Sequence, residues 1–360
     1  MSVGAGAEQL ALRDSVRAVL RAQSPPDVAR QAMTDPQRWR KLWKTVVELG
    51  WTEVATSAPG GDTAFGATDL VLLLEESGAA VAPIPLLSSV GLAAGVLRAA
   101  APVTDRFRAA IAGGAVATAA LHPPGHRLPG VTMTLAGGRL RGSAVAVPDL
   151  CRADLIVVLA ATGDQVLAAV AENGAEVTSR PAAEATNPAQ PLADVEIDTV
   201  PLASAPVDVD AALAAPLVAA AADLVGTAGA VLSRSIEHAK ARRQFGKPIG
   251  AFQGVKHALA DNYLLLERAR SLTYAAAARL DDPATTPAAA WTAAAQAKAT
   301  AGEAAVSCAR TAVQVHGAIA QTWEHDIHLY LRRAWQAAST LGDSRALYYE
   351  LGRRFARGAA

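Results

Sequence analysis

Residues 242–253, RRQFGKPIGAFQ, combine two arginines, a Phe-Gly step and a glutamine. A guanidinium can form two parallel, charge-assisted hydrogen bonds with a diphosphate, and we expect Arg242 to have this role. The Phe245-Gly246 step would let the chain turn tightly at a helix end and leave the Phe245 ring free to pack against an apolar face, such as an adenine. Gln253 would add a neutral hydrogen bond. The segment is therefore a candidate for binding a diphosphate-containing ligand.

The same side chains also have an ordinary structural interpretation. Arg242 and Arg243 would then form a solvated helix end, while Gln253 and a further candidate, Gln314, would be surface amides. For an isolated Arg or Gln this is the more common situation. A family resemblance described below favours the binding role for Arg242 and Gln253, and it leaves both interpretations of Gln314 open.

Other residues with chemical potential form weaker patterns. Three histidines lie close together, at His316, His325 and His328, but no carboxylate or thiol completes a familiar ligand set, so we predict helix packing and no metal. No nucleophile elbow supports hydrolase chemistry, and no Gly-x-Gly-x-x-Gly loop supports a Rossmann fold. Arg332 and Arg333 are expected on a solvated or ion-paired helix face.

The composition restricts the class of protein further. The 33 Lys and Arg residues balance 33 Asp and Glu residues, so no net charge favours nucleic acid or an anionic membrane surface. Cys151 and Cys308 lie far apart, which indicates a reducing cytoplasm. Residues 1–23 carry mixed charges, unlike a signal peptide, and no apolar run is expected to approach the roughly 20 residues of a membrane-spanning helix. The sequence predicts a cytoplasmic protein that binds neither membrane nor nucleic acid.

Hydrophobic periodicity predicts the elements that must position these residues. N-terminal helices are predicted over residues 7–22, 35–50, 67–83 and 85–101, the second beginning at Asp35-Pro36. Short β-branched or alternating runs predict strands at residues 115–121, 131–137, 139–147, 154–161 and 195–202. Ala- and Leu-rich segments predict four long helices, at about 209–241, 252–280, 287–317 and 324–356. The expected fold class is mainly α with a central β domain: an N-terminal α-helical domain (1–113), a β-sheet or barrel domain (114–207) and a C-terminal four-helix bundle (208–360).

This order of domains resembles the acyl-CoA dehydrogenase layout, and two segments carry a more specific resemblance. The first, SIEHAKARRQFGKPIGAFQGVKHALAD (235–261), is similar to the family's bundle hairpin, with Arg, Phe-Gly and Gln in the same order. The second, QVHGAIAQTWEHDIHLYLRRA (314–334), resembles a family signature in which a Gln is followed by glycines and then by an acidic and an Arg position. With ELGWTEVATSAPGG (48–61), the resemblance extends over nearly the whole chain.

The resemblance implies a flavoprotein with FAD as its cofactor. In the family these bundle residues reach across a dimer interface and hold a flavin that is bound mainly by the neighbouring subunit. The implied reaction is α,β-dehydrogenation of an acyl-CoA, in which a Glu takes the proton from the α-carbon while hydride leaves the β-carbon for the flavin. The implied cofactor-binding residues are Arg242, Phe245, Gln253, Gln314 and Gly317.

The chain departs from the family pattern at the catalytic base. Leu341 stands where most members of the family have the Glu, and Pro216 stands where a second group has it. Neither side chain can accept a proton, so no catalytic residue is predicted. Asp223, two helical turns beyond Pro216, is the one nearby substitute carboxylate, for which a structural or capping role is the stronger expectation.

The predicted β domain departs from the pattern as well. Residues 120–130, ALHPPGHRLPG, lack the hydroxyl and the acid that touch the flavin ring in the family, and residues 144–148, AVAVP, replace a Trp-containing contact. Ala318 and Ala320 stand where glycines would let a backbone approach a cofactor. The chain is therefore expected to lack a complete active site of its own.

We interpret the chain as resembling the shorter, non-catalytic subunit of heteromeric members of the family, some of which act on steroid-derived CoA thioesters. The expected partners are a longer catalytic acyl-CoA dehydrogenase subunit in an α2β2 assembly, an acyl-CoA substrate and an electron-transfer acceptor protein. Two alternatives remain open at this point. One is a self-sufficient homo-oligomeric dehydrogenase with an atypical base such as Asp223, and the other is a flavin-free scaffold of the same fold.

Overall fold

The computed structural model describes residues 6–56, 65–182 and 186–358. Its first part is helical, as the periodicity predicts. The six α-helices before the sheet are α1 (Ala7–Gln23), α2 (Pro26–Ala32), α3 (Arg40–Glu48), α4 (Ala67–Ala79), α5 (Ala94–Arg98) and α6 (Asp105–Ala112). A 3₁₀ helix at Trp51–Thr56 and a π-helical segment at Leu87–Ala93 accompany them. Of the family-like stretch 48–61, the last five residues lie outside the described part of the chain.

The predicted start of the second helix is wrong. Asp35 and Pro36 lie in turns, and α3 begins only at Arg40. The Asp35 carboxylate accepts a hydrogen bond from the Gln37 N–H at 2.9 Å, so this side chain stabilises a local turn in place of a helix N-terminus. The sequence patterns also missed α2, whose first residue is Pro26.

A single sheet follows the N-terminal helices. Its strands are β1 (Ala117–Ala120), β2 (Met133–Ala136), β3 (Arg139–Pro148), β4 (Leu155–Thr162), β5 (Gln165–Glu172), β6 (Val177–Pro181), β7 (Leu192–Thr199) and β8 (Ala203–Pro206). The strand order is β6-β7-β3-β2-β4-β5-β8, and β1 pairs in parallel with β4. Strands β1 to β4 and β7 match the five predicted runs. The other three were not predicted because β5 is rich in alanine, β6 is mostly exposed, and β8 is short and ends at a proline.

The C-terminal part is again helical. Its elements are α7 (Val209–Ala241), a hairpin of β9 (Arg243–Gln244) and β10 (Lys247–Pro248), α8 (Gln253–Asp281), α9 (Pro287–His316), α10 (Ile327–Ser339) and α11 (Ser344–Ala356). The prediction of one continuous helix over 324–356 is wrong, because Leu341 and Gly342 have φ angles of 58° and 96° and separate α10 from α11. The Asp343 carboxylate then caps α11 by accepting from the Ala346 N–H at 3.0 Å. The described C-terminal part therefore contains five α-helices in place of the predicted four.

Helix α7 is the central element of the hydrophobic core. It is long and apolar enough to span a membrane by length and composition, but 89% of its most apolar window is buried by the rest of the protein. The expectation that no apolar run reaches such a length is therefore wrong, although burial identifies α7 as a core helix. Its backbone touches α4, since a Cβ atom at Gly226 would lie 1.8 Å from the Glu75 carbonyl oxygen. A side chain at this position would force the two helices apart.

An ion pair in this core joins α7 to α10. The side chains of Asp223 and Arg333 are 0% and 2% exposed, and Arg333 Nε donates to Asp223 Oδ2 at 3.2 Å. A second hydrogen bond runs from Arg333 Nη2 to Asp223 Oδ1, and Nη1 donates to the Ala82 carbonyl oxygen at 3.2 Å. The sequence predicted a solvated or an ion-paired helix face for Arg333. The residue is ion-paired, but it is buried in the core. Arg332 is half-buried and donates to the Thr186 carbonyl oxygen at 3.1 Å.

Breaking this ion pair should destabilise the protein strongly. The substitution Asp223→Ala leaves the Arg333 guanidinium uncompensated in the core, and we expect it to lower the free energy of unfolding by about 3–5 kcal/mol. The double variant Asp223→Leu/Arg333→Leu is the control, because it leaves no buried charge and should lose less stability than the sum of the losses in Asp223→Leu and in Arg333→Leu. Urea unfolding followed by circular dichroism measures the wild type and these four variants, and wild-type stability in Asp223→Ala would contradict the expectation.

Candidate functional site

The segment 242–253 connects α7 to α8 at one end of the helical bundle. Gln244 pairs with Lys247 across a two-residue loop, in which Phe245 (φ 51°) and Gly246 (φ 78°) both have left-handed backbone. Positive φ at both central residues is the property of a type I′ hairpin turn. The Phe245 ring is 91% exposed and lies edge-on to the Phe252 ring at 6.1 Å. The tight turn expected here is present, and it holds a large apolar side chain in solvent.

Arg242 closes α7 and fixes the base of the hairpin. Its N–H donates to the His238 carbonyl oxygen at 2.8 Å, and its own carbonyl oxygen accepts from the Ile249 N–H at 2.8 Å. The guanidinium is exposed and has no hydrogen bond or ion pair with any described residue. The neighbouring Arg243 side chain donates from Nη2 to the Gly246 carbonyl oxygen at 3.2 Å. The backbone of Arg242 is therefore fixed by hydrogen bonds, while its guanidinium group has no partner among the described residues.

The remaining candidates lie at the ends of α8 and α9. Gln253 is the first residue of α8, and Gln314 is in the last turn of α9; both are exposed. Gly317 caps α9 with a φ of 73°, and a Cβ atom there would meet no atom within 4 Å. Its backbone conformation thus favours glycine, while the space around it is open. Of the two alanines at expected glycine positions, Ala318 is exposed and Ala320 is fully buried.

Contacts between helix ends bring the five candidates to the same end of the bundle. The His238 ring, near the end of α7, stacks on the His316 ring at the end of α9, with centroids 4.1 Å apart. Gly250, just before α8, packs against α7, since a Cβ atom there would lie 3.0 Å from the Ala239 carbonyl oxygen. We call the exposed surface formed by the five candidates the bundle-end surface; its members are Arg242, Phe245, Gln253, Gln314 and Gly317.

The histidines beside this surface pack helix ends together. The His325 ring lies 5.1 Å from the His316 ring, whereas His328 stacks on the Trp323 ring at 5.5 Å. Burial lowers the pKa of His238 and of His316, which favours their neutral forms in this packing. A search of the described residues finds no group of three or more His, Cys, Asp or Glu side chains that could hold a metal ion.

Neither position considered for a catalytic base has a side chain that can take a proton. Leu341 is 4% exposed in the turn between α10 and α11, and Pro216 is buried within α7. A Cβ atom at Gly95 would lie 3.0 Å from Pro216 Cδ, so α5 packs directly against this proline. Both positions belong to the apolar interior.

The 120–130 loop packs on the turn that contains Leu341. A Cβ atom at Gly342 would lie 3.0 Å from Leu128 Cδ2 and 3.2 Å from the Arg127 carbonyl oxygen. Arg127 also forms an ion pair with Asp343: its Nη2 and Nε atoms donate to Asp343 Oδ2 at 2.5 Å and 3.0 Å. The two segments that the resemblance assigns to the flavin ring and to the base are therefore in direct contact. Leu128 and the Gly342 backbone therefore pack directly on each other.

Lys298 of α9 fixes the same turn from inside the protein. Its fully buried Nζ donates to the Ala338 and Gly342 carbonyl oxygens at 3.1 Å and 3.2 Å. Burial lowers the pKa of this amine to about 7, while the nearby Asp343 carboxylate acts in the opposite direction. The sequence interpretation missed Lys298. The available signal was that it is the single lysine of α9, in an alanine-rich stretch of that helix.

Comparisons with known proteins identify the family and the fold. The family model "Acyl-CoA dehydrogenase, N-terminal domain" matches residues 6–102, and "Acyl-CoA dehydrogenase, C-terminal domain" matches residues 169–348. The acyl-CoA dehydrogenase IpdE2 of Mycobacterium tuberculosis is 30% identical over 348 residues, which is 96% of each chain. Among solved structures, the ChsE4–ChsE5 complex of Mycobacterium tuberculosis is similar, with a TM-score of 0.86, 28% identity and 99% of each chain covered. The Tcur3481–Tcur3483 steroid ACAD, G363A variant, has a TM-score of 0.87, 27% identity and 98% coverage of each chain.

The buried lysine generates a pH-dependent prediction. Because an unfolded lysine has a pKa of about 10.4, the unfolded chain binds more protons than the folded chain between roughly pH 7 and pH 10. Relative to the variant Lys298→Met, the wild type should therefore gain stability as the pH rises through this interval, by at most about 1.4 kcal/mol per pH unit. Urea unfolding of both proteins at pH 7, 8 and 9 measures the difference. A difference that does not change with pH would contradict the assignment.

Proposed function

Because this chain belongs to the acyl-CoA dehydrogenase family, we propose that it is the shorter, non-catalytic subunit of a heteromeric, FAD-dependent acyl-CoA dehydrogenase. One contrast within the chain carries the proposal. The bundle-end surface is exposed and its arginine has no partner among the described residues, whereas Leu341 and Pro216 are buried and neither can accept a proton. This combination suits a subunit that completes a flavin site and does not contain one.

The residues of this chain fit one end of FAD. The uncommitted Arg242 guanidinium can bind the diphosphate in a bidentate manner, and the exposed Phe245 ring offers an apolar face to the adenine. The amides of Gln253 and Gln314 can add hydrogen bonds, and the open space at Gly317 leaves its backbone accessible. In the proposed assembly these five residues bind and orient the diphosphate half of the cofactor.

The same chain does not fit the flavin ring. Leu128 lies against the Gly342 backbone, and Leu341 is buried beside it. In the AVAVP stretch, Ala146 has a φ of 53° and Val147 is 1% exposed, so no hydrogen-bonding side chain is available there. A bound FAD would supply the hydride acceptor for α,β-dehydrogenation, and its ring must therefore be held by another subunit. That subunit must also provide the carboxylate that takes the α-proton.

The similar solved structures support a proposal for the partner and for the substrate. Two of the similar structures consist of two named components, ChsE4–ChsE5 and Tcur3481–Tcur3483, and the second is a steroid ACAD. By analogy, the partner is a longer acyl-CoA dehydrogenase that carries the catalytic Glu, in an α2β2 assembly. The substrate is a steroid-derived acyl-CoA thioester, and the electrons pass to an electron-transfer acceptor protein. The proposed location of this assembly is the cytoplasm.

The alternative of a self-sufficient homo-oligomer has less support. Asp223 was its candidate base, but the carboxylate is 0% exposed and both of its oxygens accept hydrogen bonds from Arg333. A base in that position would reach no substrate and would lose its partner on protonation. The second alternative, a flavin-free scaffold, differs from the proposal in a measurable quantity, which is the flavin content of the complex.

Expression with and without a partner tests the proposal directly. Alone, the chain should be colourless and should not oxidise acyl-CoA, because it lacks a carboxylate at positions 216 and 341 and lacks hydrogen-bonding side chains in the AVAVP stretch. Co-expressed with a longer acyl-CoA dehydrogenase subunit that carries the catalytic Glu, the chain should co-purify as a yellow complex that oxidises an acyl-CoA. Absorbance at the flavin maximum and reduction of an artificial electron acceptor are the measurements. A yellow, active homo-oligomer of this chain alone would overturn the proposal.

A matched pair of arginine variants tests the role of the bundle-end surface. In the co-expressed complex, Arg242→Gln removes the charge-assisted hydrogen bonds to the diphosphate and should weaken FAD binding by at least about tenfold, since such bonds contribute roughly 1.5–3 kcal/mol. Arg243→Gln is the control, because it removes the adjacent charge in the same hairpin and should leave FAD binding within about twofold. FAD titration of the apo-complex gives both affinities. Equal affinities of wild type and Arg242→Gln would favour the flavin-free scaffold.

A further inference from the structure

The segment that follows α9 has little apolar burial to hold it in place. It begins at Gly317, a member of the bundle-end surface, and ends at Asp326, where α10 starts. Among residues 317–326, all of which the structure describes, Ala320 alone is buried, and the Trp323 side chain is 48% exposed. Ordering an exposed connection of this kind costs conformational entropy. Contacts other than apolar packing must therefore fix the segment.

Arg30 of α2 binds the end of this segment from the N-terminal region. Its Nε donates to the Trp323 carbonyl oxygen at 2.8 Å, and its Nη2 donates to the Glu324 carbonyl oxygen at 3.3 Å and to Asp326 Oδ1 at 3.0 Å. The remaining nitrogen, Nη1, pairs with Asp27 of the same helix. The Arg30 side chain is 13% exposed, so these charge-assisted hydrogen bonds are partly shielded from water.

The Asp326 carboxylate connects three helices. Its Oδ2 accepts a hydrogen bond from Arg234 Nη1 of α7 at 3.1 Å, in addition to the bond from Arg30 to Oδ1. Asp326 is the N-cap residue of α10, but its side chain makes no capping hydrogen bond within that described helix. We call Arg30, Arg234, Asp27 and Asp326 the ion cluster. Two arginines balance two aspartates in it, so the cluster suits a connection between helices and not the binding of a charged ligand.

Three histidine rings lead from the ion cluster to the bundle-end surface. His325 directly precedes Asp326, and its ring lies 5.1 Å from the His316 ring at the end of α9. The His316 ring stacks on the His238 ring of α7 at 4.1 Å. The His238 carbonyl oxygen accepts a hydrogen bond from the Arg242 N–H at 2.8 Å. A continuous series of contacts therefore joins Asp326 to the residue that is proposed to bind the diphosphate.

We propose that Asp326 is a positioning residue for the contact between the bundle-end surface and FAD. Its carboxylate is engaged by Arg30 and Arg234, so it acts on the cofactor through other residues. The ion cluster fixes the segment after α9, and the histidine rings then hold the end of α7, with Arg242, against the end of α9, with Gly317. An arginine that is already in place loses less entropy when FAD binds. This inference rests on the proposed function.

A matched pair of aspartate variants in the co-expressed complex tests this role by FAD titration of the apo-complex. Asp326→Asn removes the charge that both arginines bind, and the affinity for FAD should fall about fivefold. Asp326→Glu keeps the charge and should recover most of the lost affinity. Asp27→Asn is the control, because it removes a 75% exposed carboxylate from the same Arg30 and leaves the contacts of Arg30 with the segment after α9 in place. It should change FAD affinity by less than about twofold.

A double variant separates positioning from a general loss of stability. If Asp326 acts by placing Arg242, then Asp326→Asn should weaken FAD binding about fivefold in the wild-type background but by no more than about twofold in the Arg242→Gln background. A general loss of stability would lower the affinity by the same factor in both backgrounds. The same titration of the apo-complex measures the four affinities of this cycle.

Three results would each overturn the inference: wild-type FAD affinity in Asp326→Asn, equal losses in Asp326→Asn and Asp27→Asn, or equal factors in the two Arg242 backgrounds. These results differ from a failure of the proposed function. If Arg242→Gln weakens FAD binding and Asp326→Asn does not, the positioning role alone is wrong. A wild-type complex that contains no flavin would overturn the proposed function, and the positioning role with it.

Discussion

The ion pair between Asp223 and Arg333 is the interaction on which the relative positions of the helices depend. Two charges in an apolar interior are tolerated only when each satisfies the other, so α7 and α10 have one favourable arrangement. The third nitrogen of the Arg333 guanidinium binds the Ala82 carbonyl oxygen and extends this constraint to the N-terminal helices. The close backbone contact at Gly226 adds a steric limit to the same arrangement. The end of α7 that holds Arg242 and the turn that holds Leu341 are both positioned through this contact region.

Local patterns in the sequence were sufficient for the layout and for the tight turn in the segment 242–253. The Phe245-Gly246 step predicted a tight turn because few residues adopt positive φ, and the apolar periodicity predicted α7, α8 and α9 close to their true bounds. The break at Leu341 was missed because leucine rarely has a left-handed backbone and no proline marks the end of α10. The pairing of Arg333 with Asp223 was also beyond local reasoning, because 110 positions separate the two residues. Lys298 was missed for the same reason, since its acceptors are backbone carbonyl oxygens of α10 and of the turn after it.

The bundle-end surface has the composition of a contact region. Besides Phe245, the side chains of Ile319 and Trp323 near the end of α9 are 52% and 48% exposed. On α8, Tyr263 and Leu264 are 54% and 68% exposed. Apolar groups of this size in solvent are costly in an isolated protein, and aromatic groups are frequent anchors at protein interfaces. If Arg242 became desolvated on assembly, its attraction for a diphosphate would be stronger.

The packing of Leu128 against the Leu341–Gly342 turn also affects how such a protein can change over generations. A single mutation that returned a glutamate to position 341 would push a carboxylate into a space already closed by the 120–130 loop, beside the buried amine of Lys298. If the chain is non-catalytic as proposed, catalysis would need coordinated changes in the loop, the turn and α9, and most such changes taken singly are destabilising. In the proposed complex, one subunit would then bind the diphosphate and the other would catalyse the reaction, and single mutations would not easily reverse this separation of roles.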